Sequence, residues 1–103
     1  MKKLESSEHY RRAAAEKQVL FFFTADWCPD CQVIKPIMPE IERKYPEYNF
    51  IEVARDDFID LCSEQDVFGI PSFIAYKKGK EIGRFVSKKR KTKKEIELFM
   101  NSL

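Results

Sequence analysis

The sequence predicts a single α/β domain around a central mixed sheet. Three observations carry that expectation. An unbroken apolar run over Gln18–Thr24 suits a strand covered on both faces, helical stripes precede and follow it, and strand-like and helix-like segments then alternate along the chain. With 103 residues, 44% of them hydrophobic and 14% aromatic, there is enough apolar material for one core and too little chain for two, so residues 1–103 are expected to form one domain. A domain of this size buries roughly two-thirds of its unfolded surface and needs no disulfide framework.

Ser6 or Ser7 caps a first helix that runs to about Lys17, with Tyr10, Ala13 and Ala14 at helical spacing. Val19 to Phe23 reads Val-Leu-Phe-Phe-Phe, the pattern of a central strand. From Cys28 to about Tyr45, the residues Val33, Ile34, Ile37, Met38 and Ile41 form one stripe of a long helix entered through Pro29, a favoured first-turn residue. Pro36 and Pro39 lie inside it. Neither has an N–H, so the carbonyls of Gln32 and Lys35 are freed and a kink is expected there.

Asn49–Ala54 is the next strand, and Asp56 or Asp57 then caps a short helix holding Phe58, Ile59, Leu61 and Cys62 before Gly69 ends the segment. Ser72–Tyr76, the turn Lys77-Lys78-Gly79-Lys80 and Glu81–Val86 form an antiparallel hairpin in which Gly79 supplies the positive φ of a tight loop. Thr92 with Glu95 makes a capping box, and Ile96, Phe99, Met100 and Leu103 give the last helix an apolar face for the sheet.

Nineteen basic and seventeen acidic residues leave a net charge of +2, but they are unevenly spread. The window Lys77–Lys94 carries about +9 and the remainder about −7, an asymmetry that steers an acidic partner and says nothing about fold. Met1-Lys2-Lys3 starts basic, but Leu4-Glu5-Ser6-Ser7-Glu8 interrupts any apolar stretch, so neither an export signal nor a membrane span is read. An odd number of cysteines, two of them close together, argues for a reducing compartment and a cytoplasmic protein.

The sharpest feature is Asp26-Trp27-Cys28-Pro29-Asp30-Cys31, a Cys-x-x-Cys that follows an aromatic strand and opens a helix. Unpaired N–H groups at a helix start favour negative charge, so the Cys28 thiol is expected to ionise below the free value near 8.5. Cys31, one turn deeper, is expected to be shielded. That inequality is what dithiol exchange requires: one sulfur attacks a substrate disulfide and its neighbour resolves the mixed disulfide.

On these residues the chain resembles the thioredoxin family along nearly its whole length. Trp27-Cys28-Pro29-Asp30-Cys31 is similar to the family's Trp-Cys-Gly-Pro-Cys, and Pro36 stands where the family kinks its second helix. Gly69-Ile70-Pro71-Ser72 is similar to the segment with the family's cis-proline, and Lys78-Gly79-Lys80 falls at its hairpin turn. The resemblance implies the thioredoxin fold, a central sheet of four to five strands flanked by about four helices, with Pro71 cis and facing Cys28. It further implies that substrate lies extended against the Ile70 backbone, with Trp27, Ile70 and Pro71 as an apolar rim.

Departures from the family pattern are informative. Pro29 and Asp30 replace Gly and Pro between the cysteines and are expected to tune the couple, Asp30 by disfavouring the Cys28 thiolate, so that Asp30→Asn lowers the Cys28 pKa. The family's buried aspartate corresponds to Phe22, and Glu52 stands where a lysine is frequent. Glu52 or Asp26 is then the candidate acceptor of the Cys31 proton, against the plainer reading of Glu52 as an exposed strand carboxylate. Ser87 replaces the glycine after the second hairpin strand, which narrows or repolarises the docking surface.

Other features are read plainly. Cys62 is a small core hydrophobe, His9 an exposed helix residue, and one Cys-x-x-Cys with a distant Cys62 and a single His does not make a zinc site, so no metal is expected. Lys88–Lys94 reads as a solvated basic run; a nucleic-acid partner is disfavoured because no aromatics interleave with it beyond Phe85. The reading is a monomeric thiol–disulfide oxidoreductase serving cell redox homeostasis, without bound cofactor, acting on disulfide-containing proteins and recharged by a separate thiol- or flavin-dependent reductase. The alternative is a non-catalytic adaptor holding an acidic partner through the basic segment.

Overall fold

The structure, a computed structural model, describes residues 1–103. The elements follow one another as β1 (Lys2–Lys3), α1 (Ser7–Ala14), β2 (Gln18–Thr24), α2 (Pro29–Ile34), α3 (Met38–Lys44), β3 (Asn49–Ala54), α4 (Ile59–Glu64), β4 (Ser72–Lys77), β5 (Lys80–Phe85) and α5 (Lys93–Asn101). The strands form one mixed sheet in the order β1-β3-β2-β4-β5, parallel between β1, β3 and β2 and antiparallel between β2, β4 and β5. The two-residue strand β1 is an addition to the expected architecture, and its two exposed lysines carry no apolar pattern that would have announced it.

The run Val19–Phe23 is apolar throughout because β2 is the middle strand and both of its faces are covered. Val19, Phe21 and Phe23 pack with Tyr10, Leu61 and Ile74 under α1 and α4, while Leu20 and Phe22 pack with Ile34, Met38, Ile41, Ile96 and Met100 under the helices opposite. Tyr10 stacks on Phe21 and its hydroxyl meets that of Tyr76 at 3.0 Å, so the buried phenol is partnered and its pKa is driven upward by desolvation.

Pro36 breaks the long helix as expected. Lys35–Ile37 tightens into a 3₁₀ turn in which Met38 N–H donates to the Lys35 carbonyl, the group that Pro39 cannot reach. Counting α2 and α3 as one kinked helix leaves four helices around the sheet. The hairpin turn places Lys78 at φ 53° and Gly79 at φ 84°, the geometry that matches the twist of paired strands. Thr92 and Glu95 form the capping box reciprocally. Neither Asp56 nor Asp57 caps α4, a correction to the sequence reading: both lie in a 3₁₀ turn over Arg55–Asp57, Phe58 takes the cap position, and Asp56 is drawn away by a side-chain partner.

Candidate functional site

The site forms where β2 ends and the chain turns into α2. Cys28 N–H donates to the Ala25 carbonyl at 3.2 Å and the Gln32 side chain donates to the same carbonyl at 3.2 Å, so the turn carrying Cys28 is held from both sides. Cys28 then occupies the N-cap of α2, where its sulfur accepts the Cys31 N–H at 3.2 Å. Pro29, next in line, has no N–H to leave unsatisfied. Cys28 and Cys31 are joined by a disulfide with Cα atoms 5.2 Å apart.

Cys31 is wholly buried, as expected, and Cys28 retains only 5% of its surface, far from open. Its access is a cleft of about 370 Å³ lined by Trp27, Cys28, Pro29, Asp30, Phe68 and Ile70, with Arg55, Gly69 and Lys88 completing the wall. The Ile70–Pro71 bond is cis, and the Ile70 carbonyl stands 4.0 Å from Cys28 Sγ. Trp27 is 60% exposed and fixed in place, its Nε1–H donating to Asp56 Oδ2 at 2.7 Å and its ring lying under the Arg55 guanidinium.

The structure also corrects or extends several expectations. Asp30 is not a bare charge beside Cys28, because its carboxylate accepts from Arg90 Nε at 3.0 Å. Glu52 is not an exposed strand carboxylate. It is buried, holds Lys35 at 3.6 Å, and lines a second cleft of about 190 Å³ with Asp26, Thr24, Asp56 and Asp57. Neither Glu52 nor Asp26 is hydrogen-bonded to Cys31. Phe22 is fully buried and stacked on Phe73.

Within the basic run, Lys91 departs from the solvated reading. Only 2% exposed, its ammonium donates to the Ser87 carbonyl, the Ser87 hydroxyl and the Lys89 carbonyl, and burial holds its pKa below the usual lysine range. Phe68, 71% exposed on the cleft wall, escaped sequence reading; an aromatic directly before Gly69-Ile70-Pro71 was the available signal. Cys62, on the inner face of α4, is buried in the core and its thiol is pushed up by desolvation, as a structural cysteine should be. His9 is half-buried and accepts the Glu5 N–H through Nδ1.

A family model described as Thioredoxin matches residues 1–102. Among characterised relatives, the thioredoxin of Sus scrofa is 36% identical over 106 aligned positions covering 100% of this chain and 98% of that protein, and the thioredoxin of Homo sapiens is 35% identical over the same extent. Among solved structures, mitochondrial thioredoxin 3 from Saccharomyces cerevisiae in its oxidized form superposes with a TM-score of 0.87 at 23% identity, covering 100% of this chain and 95% of that one. The thioredoxin of Trypanosoma brucei brucei gives a TM-score of 0.79 at 29% identity over 84% of this chain and 77% of its own.

Proposed function

The chain belongs to the thioredoxin family and is a protein thiol–disulfide oxidoreductase, and on that premise we propose that Cys28 is the attacking sulfur and Cys31 the resolving one. The observation that supports this order is the Cys31 N–H directed at Cys28 Sγ from within the first turn of α2. A donor fixed there favours the anion on Cys28 over the thiol. Cys31 has no such donor and lies beneath it.

In the reduced protein, the Cys28 thiolate attacks one sulfur of a substrate disulfide, forms a mixed disulfide and expels the other sulfur as thiolate. Cys31 gives up its proton, attacks Cys28 Sγ, and releases the second substrate thiolate as the Cys28–Cys31 disulfide closes. Two electrons pass to the substrate. The Ile70 backbone and Pro71 align an extended substrate segment, Trp27 and Phe68 shelter the apolar part of the cleft, and Pro29 and Asp30 tune the couple. The Cys31 proton leaves toward the polar cleft of Asp26 and Glu52. That route is supported by Ala25, which packs on both cysteines while lining this cleft, and by Thr24 on its wall, whose buried hydroxyl has no protein partner.

As a member of its family, the protein works through a redox-active disulfide rather than a bound cofactor, and its partners are disulfide substrates and a reductase. No helix is long and apolar enough to cross a membrane. Residues 1–103 act as one monomeric domain in the cytoplasm, recharged by a thiol- or flavin-dependent reductase, without nucleic acid. With the cysteine pair intact, nothing favours the adaptor alternative over catalysis.

Dithiothreitol-driven insulin reduction tests the roles. Cys28→Ser should abolish turnover, and Cys31→Ser should accumulate a mixed disulfide through Cys28. Trapping through Cys31 in the Cys28→Ser protein, with none through Cys28 in the other variant, would reverse the assignment.

A further inference from the structure

The cleft beside Cys28 carries an unspent positive charge. Of the cations on its wall, Arg55 is paired with Asp56 at 3.1 Å, and Asp30, the one carboxylate lining the cleft, is taken by Arg90. Lys88 is left. It is exposed, lines the same cleft as Cys28, and has no ion-pair partner within 4.0 Å; its neighbour Lys89 is likewise unpaired.

The loop that carries Lys88 is also held in place, which a solvated charge run would not achieve. Beneath it, Lys91 turns inward and its three ammonium hydrogens meet two carbonyls and a hydroxyl of the same loop, Ser87 O, Ser87 Oγ and Lys89 O, at 3.0 to 3.2 Å. The ammonium also lies 5.0 Å from the Phe85 ring centre. On one side the loop touches the segment before Pro71: a Cβ on Gly69 would stand 2.6 Å from the Ser87 carbonyl carbon and 2.7 Å from Lys88 N. On the other side Arg90 ties it to Asp30 at the start of α2. The loop is thus clamped between the two segments that frame the reactive sulfur, with Lys88 facing the cleft.

We propose that this loop is a specificity element, and that the disulfides this protein prefers are those of polypeptide segments carrying an aspartate or glutamate beside the attacked cysteine, received by Lys88. This rests on the oxidoreductase reading above and adds the substrate class to it. The apolar floor of Trp27, Phe68 and Ile70 suits an extended segment rather than a small polar thiol, and the charge complement of the wall selects an anionic neighbour within it. Lys91, buried and not in contact with substrate, acts as a positioning residue.

The test compares disulfide-linked peptides that differ only in the residue flanking the cystine, Glu or Gln, and reads the ratio of their kcat/KM values. At low salt the wild-type protein should favour the Glu peptide about fivefold, the size of one partly screened ion pair. That preference should shrink as the Debye length falls to about 8 Å at physiological ionic strength. Lys88→Glu should invert the ratio, whereas Lys94→Glu, the same charge change on α5, should keep it above one. A ratio of one in the wild type with both peptides reduced overturns the specificity and leaves the oxidoreductase standing. No reduction of either peptide overturns both. Equal losses in Lys88→Glu and Lys94→Glu would assign the preference to the overall field of the basic end and overturn the role of Lys88. Glutathione disulfide, anionic but without a chain to lie along Ile70, is the last arm: if Lys88→Glu slows its reduction as much as that of the Glu peptide, the polypeptide assignment fails.

Discussion

Asp30 separates the two cysteines of the motif, and in isolation its carboxylate would oppose a thiolate on Cys28. The Arg90 guanidinium at 3.0 Å changes that balance by supplying the opposite charge from a loop sixty residues away. The Cys28 pKa should therefore report the pair rather than Asp30 alone. Arg90→Ala uncovers the carboxylate, disfavours the thiolate and raises the Cys28 pKa; Asp30→Asn leaves the guanidinium without its partner and lowers it; the double variant returns close to wild type. The side chains are 33% and 62% exposed, so water and salt screen the effect and each single change should move the titration by only about half a pH unit. Thiolate absorbance against pH on the reduced proteins measures all four. A downward or absent shift in Arg90→Ala would show that the ion pair has no hold on Cys28.

At the scale of elements, the loop after β5 and the segment before β4 are packed backbone on backbone. Gly69 is required there for space, since a methyl group would meet Ser87 C and O at 2.6 Å, and backbone cannot swing aside as a flexible side chain can. Gly69→Ala should cost about 1 to 3 kcal/mol of stability, read as a lower denaturant midpoint at unchanged slope. An unchanged midpoint would mean that the two segments are looser than their contact suggests. This contact also marks the limit of what sequence alone conveyed. The strand Gln18–Thr24, the break at Pro36, the Lys78-Gly79 turn and the Thr92 capping box depend on neighbours a few residues apart, and each was readable from local pattern. The cysteine pair at a strand-to-helix junction was readable for the same reason, whereas the cis bond before Pro71 came only from the family resemblance, because local pattern alone favours trans. Lys91 turning inward, Arg90 reaching Asp30, Lys35 reaching Glu52 and Trp27 claiming Asp56 are long-range or loop-specific, and a run of like charges looks solvated until the loop beneath it is known. Asp56 shows the cost of that blindness, since its good local cap chemistry is overridden by an indole 29 residues away.

Across the whole molecule, two cores sit on opposite faces of the sheet, and Phe22 belongs to the one beneath α2, α3 and α5, fully buried with its ring centroid 5.2 Å from that of Phe73. Its register partner on β3 is Glu52, whose carboxylate is held by Lys35. The two positions at which the sequence departs from the expected pattern are therefore neighbours, an aromatic ring beside a carboxylate. Phe22→Asp probes what that neighbourhood tolerates. It would remove a ring whose truncation costs about 3 to 5 kcal/mol and set a second carboxylate next to Glu52 in a dry site. Desolvation and the like charge both raise the folded-state pKa of the new carboxyl above its unfolded value near 3.9. The folded state then binds the extra proton more tightly than the unfolded state, so stability is greatest below the unfolded pKa and is lost as pH rises through the folded one. Phe22→Asn supplies the same loss of packing without the titration. The gap in unfolding free energy between Phe22→Asn and Phe22→Asp should be small near pH 3 and widen to about 2 kcal/mol or more at neutral pH, against a total near 5 to 15 kcal/mol for a domain of this kind. Denaturant melts of the two variants across that range measure it. A gap that stays flat with pH would show that position 22 tolerates a charge, and that the aromatic residue there reflects packing preference alone rather than a core rebuilt around Glu52 and Lys35.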